Sequence, residues 1–168
     1  MKPSERLGSR MTDETDGTFV VTHADAESAV LRDIDSGQVH TLGDGHEVEV
    51  GDVLTATLAP EPPLEVTMEV VEVTARRHVT LEASAEPPTT QERDIAAEQG
   101  VGELTKRERA GKGEIHVITV PAAETAAAVE DVLDDEETLA RAARIPDVTR
   151  VEVRSDDEDG IVSVRYLP

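Results

Sequence analysis

Between residues 18 and 84 the apolar positions come in short runs that alternate with polar ones, the period-2 signature of strands buried on one face. Residues 18–23 and 28–34 are β-branched runs, and Asp35-Ser36-Gly37 predicts a hairpin turn into residues 38–42. Gly43-Asp44-Gly45 predicts a second turn into residues 46–50, where Val48 and Val50 alternate with acids, and Gly51-Asp52 leads into 53–58. Pro60, Pro62 and Pro63 interrupt pairing. Val66, Met68 and Val70 then alternate with Thr67, Glu69 and Val71, and residues 78–81 give a last strand. Short strands at this spacing, joined by turn chemistry, predict a small antiparallel β-barrel over residues 17–84.

Residues 85–113 read as a linker with two short helices, 91–98 and 103–109, separated by Gly100 and Gly102. Gly111-Lys112-Gly113 then reads as a helix C-cap and turn. From residue 114 the period changes. Residues 114–120 predict a strand with Ile115, Val117 and Thr119 on one face, and Pro121 suits the first position of a helix. In that helix Ala122, Ala126, Val129, Val132 and Leu133 recur at the spacing of one helical face. Asp134 is expected to cap a second helix, with Glu137 at the capping-box position, and Ile145-Pro146 stops it. Residues 148–154 and 161–166 follow as a hairpin around the acidic loop 155–160. The order β-α-α-β-β over residues 114–168 predicts an α+β unit, and the whole chain an α+β protein of two modules. A unit of about 55 residues is marginal alone, so it is expected to dock on the barrel or on a second copy of itself.

Charge changes the picture. The chain carries 37 acidic and 16 basic residues, a net charge of -21 over 168 residues, and only Lys2, Lys106 and Lys112 are lysines. Such a chain repels itself at low ionic strength, whereas at about 1 M salt a Debye length of roughly 3 Å screens the repulsion. The acid excess is therefore expected of a halophilic protein, with the acids as a solvated shell on folded units. The apolar residues are small: one Phe, one Tyr and no Trp. With no cysteine, disulfides, thiolate metal sites and cysteine nucleophiles are excluded. No apolar run approaches the roughly 18 residues of a membrane helix, and the basic start (Lys2, Arg6, Arg10) has no apolar segment behind it. A cytoplasmic protein with no membrane partner is expected. Residues 1–10 differ in composition from the acid-rich stretch that Met11 opens, which suggests a natural start at Met11 and a disordered arm over residues 1–16.

Four stretches carry a resemblance: Gly17-Thr18-Phe19-Val20-Val21-Thr22-His23, Ala59-Pro60-Glu61-Pro62-Pro63, residues 102–111 and the ending Val162-Ser163-Val164-Arg165-Tyr166-Leu167-Pro168. In these the chain resembles an uncharacterised haloarchaeal family, a domain of unknown function, from Met11 to Pro168. The resemblance implies a salt-adapted cytoplasmic protein and brings no activity or catalytic residue. Through Val48-Glu49-Val50-Gly51-Asp52-Val53 the first half is also loosely similar to small nucleic-acid-binding barrels of the OB or TRAM type.

Lys106, Arg107, Arg109 and Lys112 stand out in so acidic a chain, and with Arg76 and Arg77 they are the candidate binding residues. They suit phosphate contacts, but also pairing with the acid shell, and phosphate attraction weakens steeply with salt. Single-strand binding usually adds aromatic stacking, for which only Phe19 and Tyr166 are on offer. The Gly-Lys-Gly triplet is no P-loop, because a strand follows it where a helix is needed. His23, His40, His46, His78 and His116 show no close metal-ligand spacing. Asp156-Asp157-Glu158-Asp159 matches a calcium loop only in part, and no GxSxG is present. No catalytic, cofactor or metal residues are therefore assigned. The leading expectation is a non-enzymatic binding or adaptor protein associated with RNA or a ribonucleoprotein. The alternatives are a protein–protein module, homodimeric through its C-terminal sheet, and a small-molecule enzyme with a pocket lined by His116 and arginines at the junction of the modules.

Overall fold

The computed structural model describes residues 13–62, 66–109 and 111–168. The expected arm up to residue 12, with the suggested start at Met11, lies outside the described residues, as do Pro63 and Ala110. The described chain is mixed α+β, mostly strands with three α-helices, and divides into two compact units between His78 and Val79.

The first unit is a five-stranded barrel. β1 (Thr15–Ala24) pairs antiparallel with β2 (Ala29–Asp33) and with β4 (Asp52–Pro60), β2 pairs with β3 (Val39–Leu42), and β4 pairs with β5 (Met68–His78). A parallel bridge between Leu42 and Met68 closes the order β1-β2-β3-β5-β4. The expected barrel is therefore present but not wholly antiparallel. Alternation does what the sequence predicts: Phe19, Val21, Leu31, Leu54, Ala56 and Leu58 point inward and form the core. The Asp35-Ser36-Gly37 turn forms as expected, because Asp33 Oδ1 accepts the Asp35 and Ser36 N–H groups and Gly37 takes φ 78°.

Two barrel strands read from the sequence do not form. Residues 46–50 are an irregular loop, although Val48 is buried as a single plug in the core. Side chains and isolated carbonyls satisfy that loop in place of a ladder: His46 Nε2 reaches the carbonyls of Asp25 and Ser28, and the Glu49 N–H donates to Asp52 Oδ2. The strand expected at 78–81 is split. His78 ends β5, and β6 (Thr80–Ala83) pairs in parallel with β9 (Arg150–Asp156) of the second unit.

The second unit is a five-stranded sheet of order β6-β9-β10-β8-β7, with β7 (Leu104–Glu108), β8 (Glu114–Thr119) and β10 (Ile161–Leu167). Its register gives two faces. Ile115, Val117, Ile161 and Arg165 share one, where Ile95 and Ala96 of α1 (Thr90–Ala97) pack. Glu114, His116 and Tyr166 share the other, reached by Arg141 of α3 (Glu136–Arg144); α2 (Thr125–Asp134) precedes α3. The expected order β-α-α-β-β is thus the C-terminal part of a larger sheet. Asp135, one residue beyond the expected cap, starts α3 by accepting the Glu137 N–H.

The helix expected at residues 103–109 is the edge strand β7, paired with β8 from Leu104↔Ile118 to Glu108↔Glu114. Leu, Lys, Arg and Glu favour helices locally, but so short a helix does not hold alone, while β8 offers a full ladder. Gly111 and Gly113, at φ 95° and 96°, therefore turn a β-hairpin and do not cap a helix. At Gly113 a side chain would land on the Tyr166 carbonyl oxygen, so both the angle and the space demand glycine.

Candidate functional site

Strand lengths in the barrel do not match. β5 is eleven residues long and pairs along its length with β4, with bulges at Val71 and Thr74, whereas β3 has four residues and meets β5 only at Leu42↔Met68. Beyond Met68 the other edge of β5 has no strand beside it among the described residues. A cavity of about 400 Å³ opens there, within the usual size of a ligand pocket. Its floor is the barrel core seen from the side, with Leu42, Val48, Leu54, Met68, Val70 and Val73. Val73 shows what is missing: its register partner Ala56 is buried, yet Val73 on the same inner face is 45% exposed. Asp44, Glu47, Glu61 and Glu69 line the same cavity, with His46 and Arg76 as its basic groups.

Arg76 is committed to its own chain. Its Nη2 donates to Asp52 Oδ2 at 2.7 Å and to the Glu47 carbonyl at 3.2 Å. Asp52 is 2% exposed, and its Oδ1 lies 2.7 Å from His78 Nδ1. Burial alone would raise the Asp52 carboxyl, but the Glu49 N–H, His78 and Arg76 together hold it below the usual carboxylate range. Glu49, Asp52 and His78 bring three donor atoms within 4.8 Å of one another, the spacing of a metal site. Both Asp52 oxygens already have partners within the chain, Oδ2 in the Glu49 N–H and Arg76 and Oδ1 in His78. The cluster is a clamp that ties the 43–51 loop to β4 and β5.

The six basic candidates are divided between the two units. Arg76 and Arg77 lie on β5 of the first unit; Lys106 and Arg107 lie on β7 of the second, and Arg109 and Lys112 on the hairpin after it. Strand geometry sends Lys106 and Arg107 to opposite faces, where a helix would have gathered them. Arg109 Nη1 donates to the Lys112 carbonyl, and Lys112 Nζ pairs with Asp147 at 2.5 Å. Lys106 and Arg107 stand on the edge of a sheet, where charged side chains discourage further strands from pairing.

The second unit holds three further charged groups. In the acidic loop Arg93 Nη1 sits 2.7 Å from Asp156 Oδ2, and this contact above all lowers the Asp156 pKa. Glu92, fully buried, pairs with Arg165 at 2.5 Å. On the other face Arg141 Nη2 meets both Glu114 oxygens at 2.6 Å, and His116 Nε2 lies 3.0 Å from Glu114 Oε1. Burial drives the His116 pKa down and outweighs Glu114, so His116 packs as a neutral ring 4.9 Å from the Tyr166 ring. Its folded pKa lies below the unfolded one, so its contribution is present above the unfolded value and fades as pH falls.

Tyr166 gives a direct test of this packing. Burial pushes its pKa up to about 12. It is the only tyrosine, and there is no tryptophan, so tyrosinate absorbance has one source. Spectrophotometric titration should give a midpoint near 12, above the free phenol's value of about 10. The sign follows: the contribution to stability is intact below pH ~10 and is lost between about 10 and 12. A midpoint near 10 with the fold intact would mean that the ring is solvated.

The cavity and the Asp52 clamp were not found by sequence reasoning. Gly51-Asp52 was visible as a turn, but nothing local indicates that β3 is too short for β5. No described helix is long and apolar enough to cross a membrane. A family model described as "Family of unknown function (DUF5812)" matches residues 15–155. No curated protein and no solved structure matches the chain.

Proposed function

We propose that this chain, which belongs to the DUF5812 family of unknown function, is a non-catalytic binding module whose barrel recognises another protein. The observation that carries the reading is the edge of β5 that no described strand covers, beside a cavity with an apolar floor and a charged rim. An open strand edge is costly to leave uncovered and is a standard site of strand addition. The order β1-β2-β3-β5-β4 with a parallel β3–β5 contact supports a likeness to OB-type barrels, which bind oligonucleotides and oligosaccharides, and this is what keeps RNA as the second reading. RNA association is the weaker reading: carboxylates line the cavity, and the basic residues are divided between two units and opposite strand faces. The acid excess further supports a halophilic protein working in concentrated salt, in a haloarchaeal cytoplasm.

Affinity capture from a lysate in molar KCl, with and without nuclease, tests the reading. Capture should survive nuclease, be lost with Val73→Arg, and persist with Lys106, Arg107 and Arg109 all changed to Ala. Recovery of RNA that vanishes with the triple alanine variant would overturn it. So would capture indifferent to Val73→Arg.

A further inference from the structure

We infer that the barrel cavity takes an extended protein segment in which small apolar residues alternate with Arg or Lys, added as a strand on the free edge of β5. The inference rests on the proposed protein-binding function and names its partner class. Three independent features converge on it.

The first is the backbone. From Glu69 onward β5 uses one edge for β4, with bulges at Val71 and Thr74, and no described strand covers its other edge, which faces the gap that β3 leaves. A strand of about five residues fills that gap. The second is the floor. Strand addition sends alternate side chains to one side, here onto Leu54, Val70 and Val73. Small apolar groups fit, and charged groups at those positions would be buried without partners.

The third is the lining charge. Asp44, Glu47, Glu61 and Glu69 surround the opening, while the cationic Arg76 is held by Asp52 and Glu47. The field at the gap is therefore negative, and the intervening residues of the incoming strand are cationic. This lining disfavours a phosphate backbone. It also disfavours a second copy of β5, whose Glu69 and Glu72 would be brought against it.

The test uses the full chain and three fluorescein-labelled hexapeptides: Arg-Val-Arg-Val-Arg-Val, Glu-Val-Glu-Val-Glu-Val, and the arginine peptide N-methylated at alternate amides. Anisotropy is read at about 0.1 M and about 1 M KCl, where screening lengths are roughly 10 Å and 3 Å. The arginine peptide should bind best, and its advantage over the glutamate peptide should narrow with salt. N-methylation, which removes two or three ladder hydrogen bonds without touching the protein, should weaken binding about tenfold or more. Glu69→Lys should weaken it about two- to fivefold at low salt, as expected for an exposed pair. Val73→Arg should abolish it, with a circular dichroism spectrum and two-unit thermal unfolding profile matching the parent's confirming that the variant's barrel is folded.

Equal binding of the N-methylated peptide overturns strand addition, and equal binding of the glutamate peptide at low salt overturns the basic partner. Two further outcomes also overturn the inference: a labelled oligo-uridine displaced by the peptide, or sedimentation showing a dimer lost in Val73→Arg. If lysate capture remains sensitive to Val73→Arg while the arginine peptide fails, the binding module stands and the partner class is wrong. If capture is insensitive as well, both fail.

Discussion

Arg165→Met is expected to destabilise the second unit by about 3–5 kcal/mol, because it leaves a buried carboxylate without its cation. Glu92 is 0% exposed. One of its oxygens accepts the Thr89 N–H at 2.8 Å, closing the capping box of α1, and the other meets Arg165 Nη1 at 2.5 Å. Arg165 Nε lies 3.2 Å from Glu152, which holds Arg154 at 2.5 Å; Arg154 in turn reaches Glu86. The network therefore ties α1 and the segment before it to β9 and β10. Glu92→Gln should cost less, about 1–2 kcal/mol, since an amide keeps the cap's acceptor and Arg165 retains Glu152. When Glu92→Gln is combined with Arg165→Met, a neutral amide stands where the charge was stranded, so much of the Arg165→Met loss should return. Urea unfolding followed by Tyr166 emission reads this unit alone, since no other tyrosine or tryptophan exists. An Arg165→Met variant within about 1 kcal/mol of the parent would show that the pair carries no such weight.

The second large effect concerns solvent. Moving the protein from about 1 M to about 0.1 M KCl lengthens screening from roughly 3 to 10 Å and exposes the chain to the repulsion of its net charge of -21. A loss of several kcal/mol follows, which for units of this size lowers the thermal midpoint by more than about 10 °C. Salt also strengthens apolar burial, so sucrose serves as the control: it favours the compact state without screening charge. KCl should rescue the low-salt protein far better than sucrose of equal osmolarity. Equal rescue would assign the effect to burial and leave the acid shell without a part in stability.

Much of the fold is legible in local pattern. Residues 114–120, 148–154 and 161–166 read as strands and are observed as β8, β9 and β10 within a few residues. The capping box at Thr89 and Glu92 holds a helix close to where one was expected. The misreadings share a cause. Leu104–Glu108 has helical residue preferences, but pairing with β8 overrides them. Residues 78–81 read as a last barrel strand, yet the strand that forms, Thr80–Ala83, pairs with β9, which lies far along the chain. Residues 46–50 alternate like a strand, yet only Val48 has a core to enter.

The candidate site was less legible, because none of its defining properties is local. The basic residues were conspicuous by composition, but a helix would have gathered Lys106, Arg107 and Arg109, and a strand disperses them. The open gap depends on four residues of β3 facing eleven of β5, a mismatch between segments that alternation cannot report. Asp52 looked like an ordinary turn residue until Arg76 and His78, distant in sequence, closed on it.

The sequence by itself determined where the chain alternates and turns, that its core is almost entirely aliphatic, and that its acids outnumber its bases by 37 to 16. Periodicity, glycine angles and charge are properties of neighbouring residues, so they survive without a partner. Which strand meets which, which edge stays open and which cations are already held were decided only by the tertiary structure. Those depend on contacts between distant segments, and the free energy of such a contact belongs to both members of the pair.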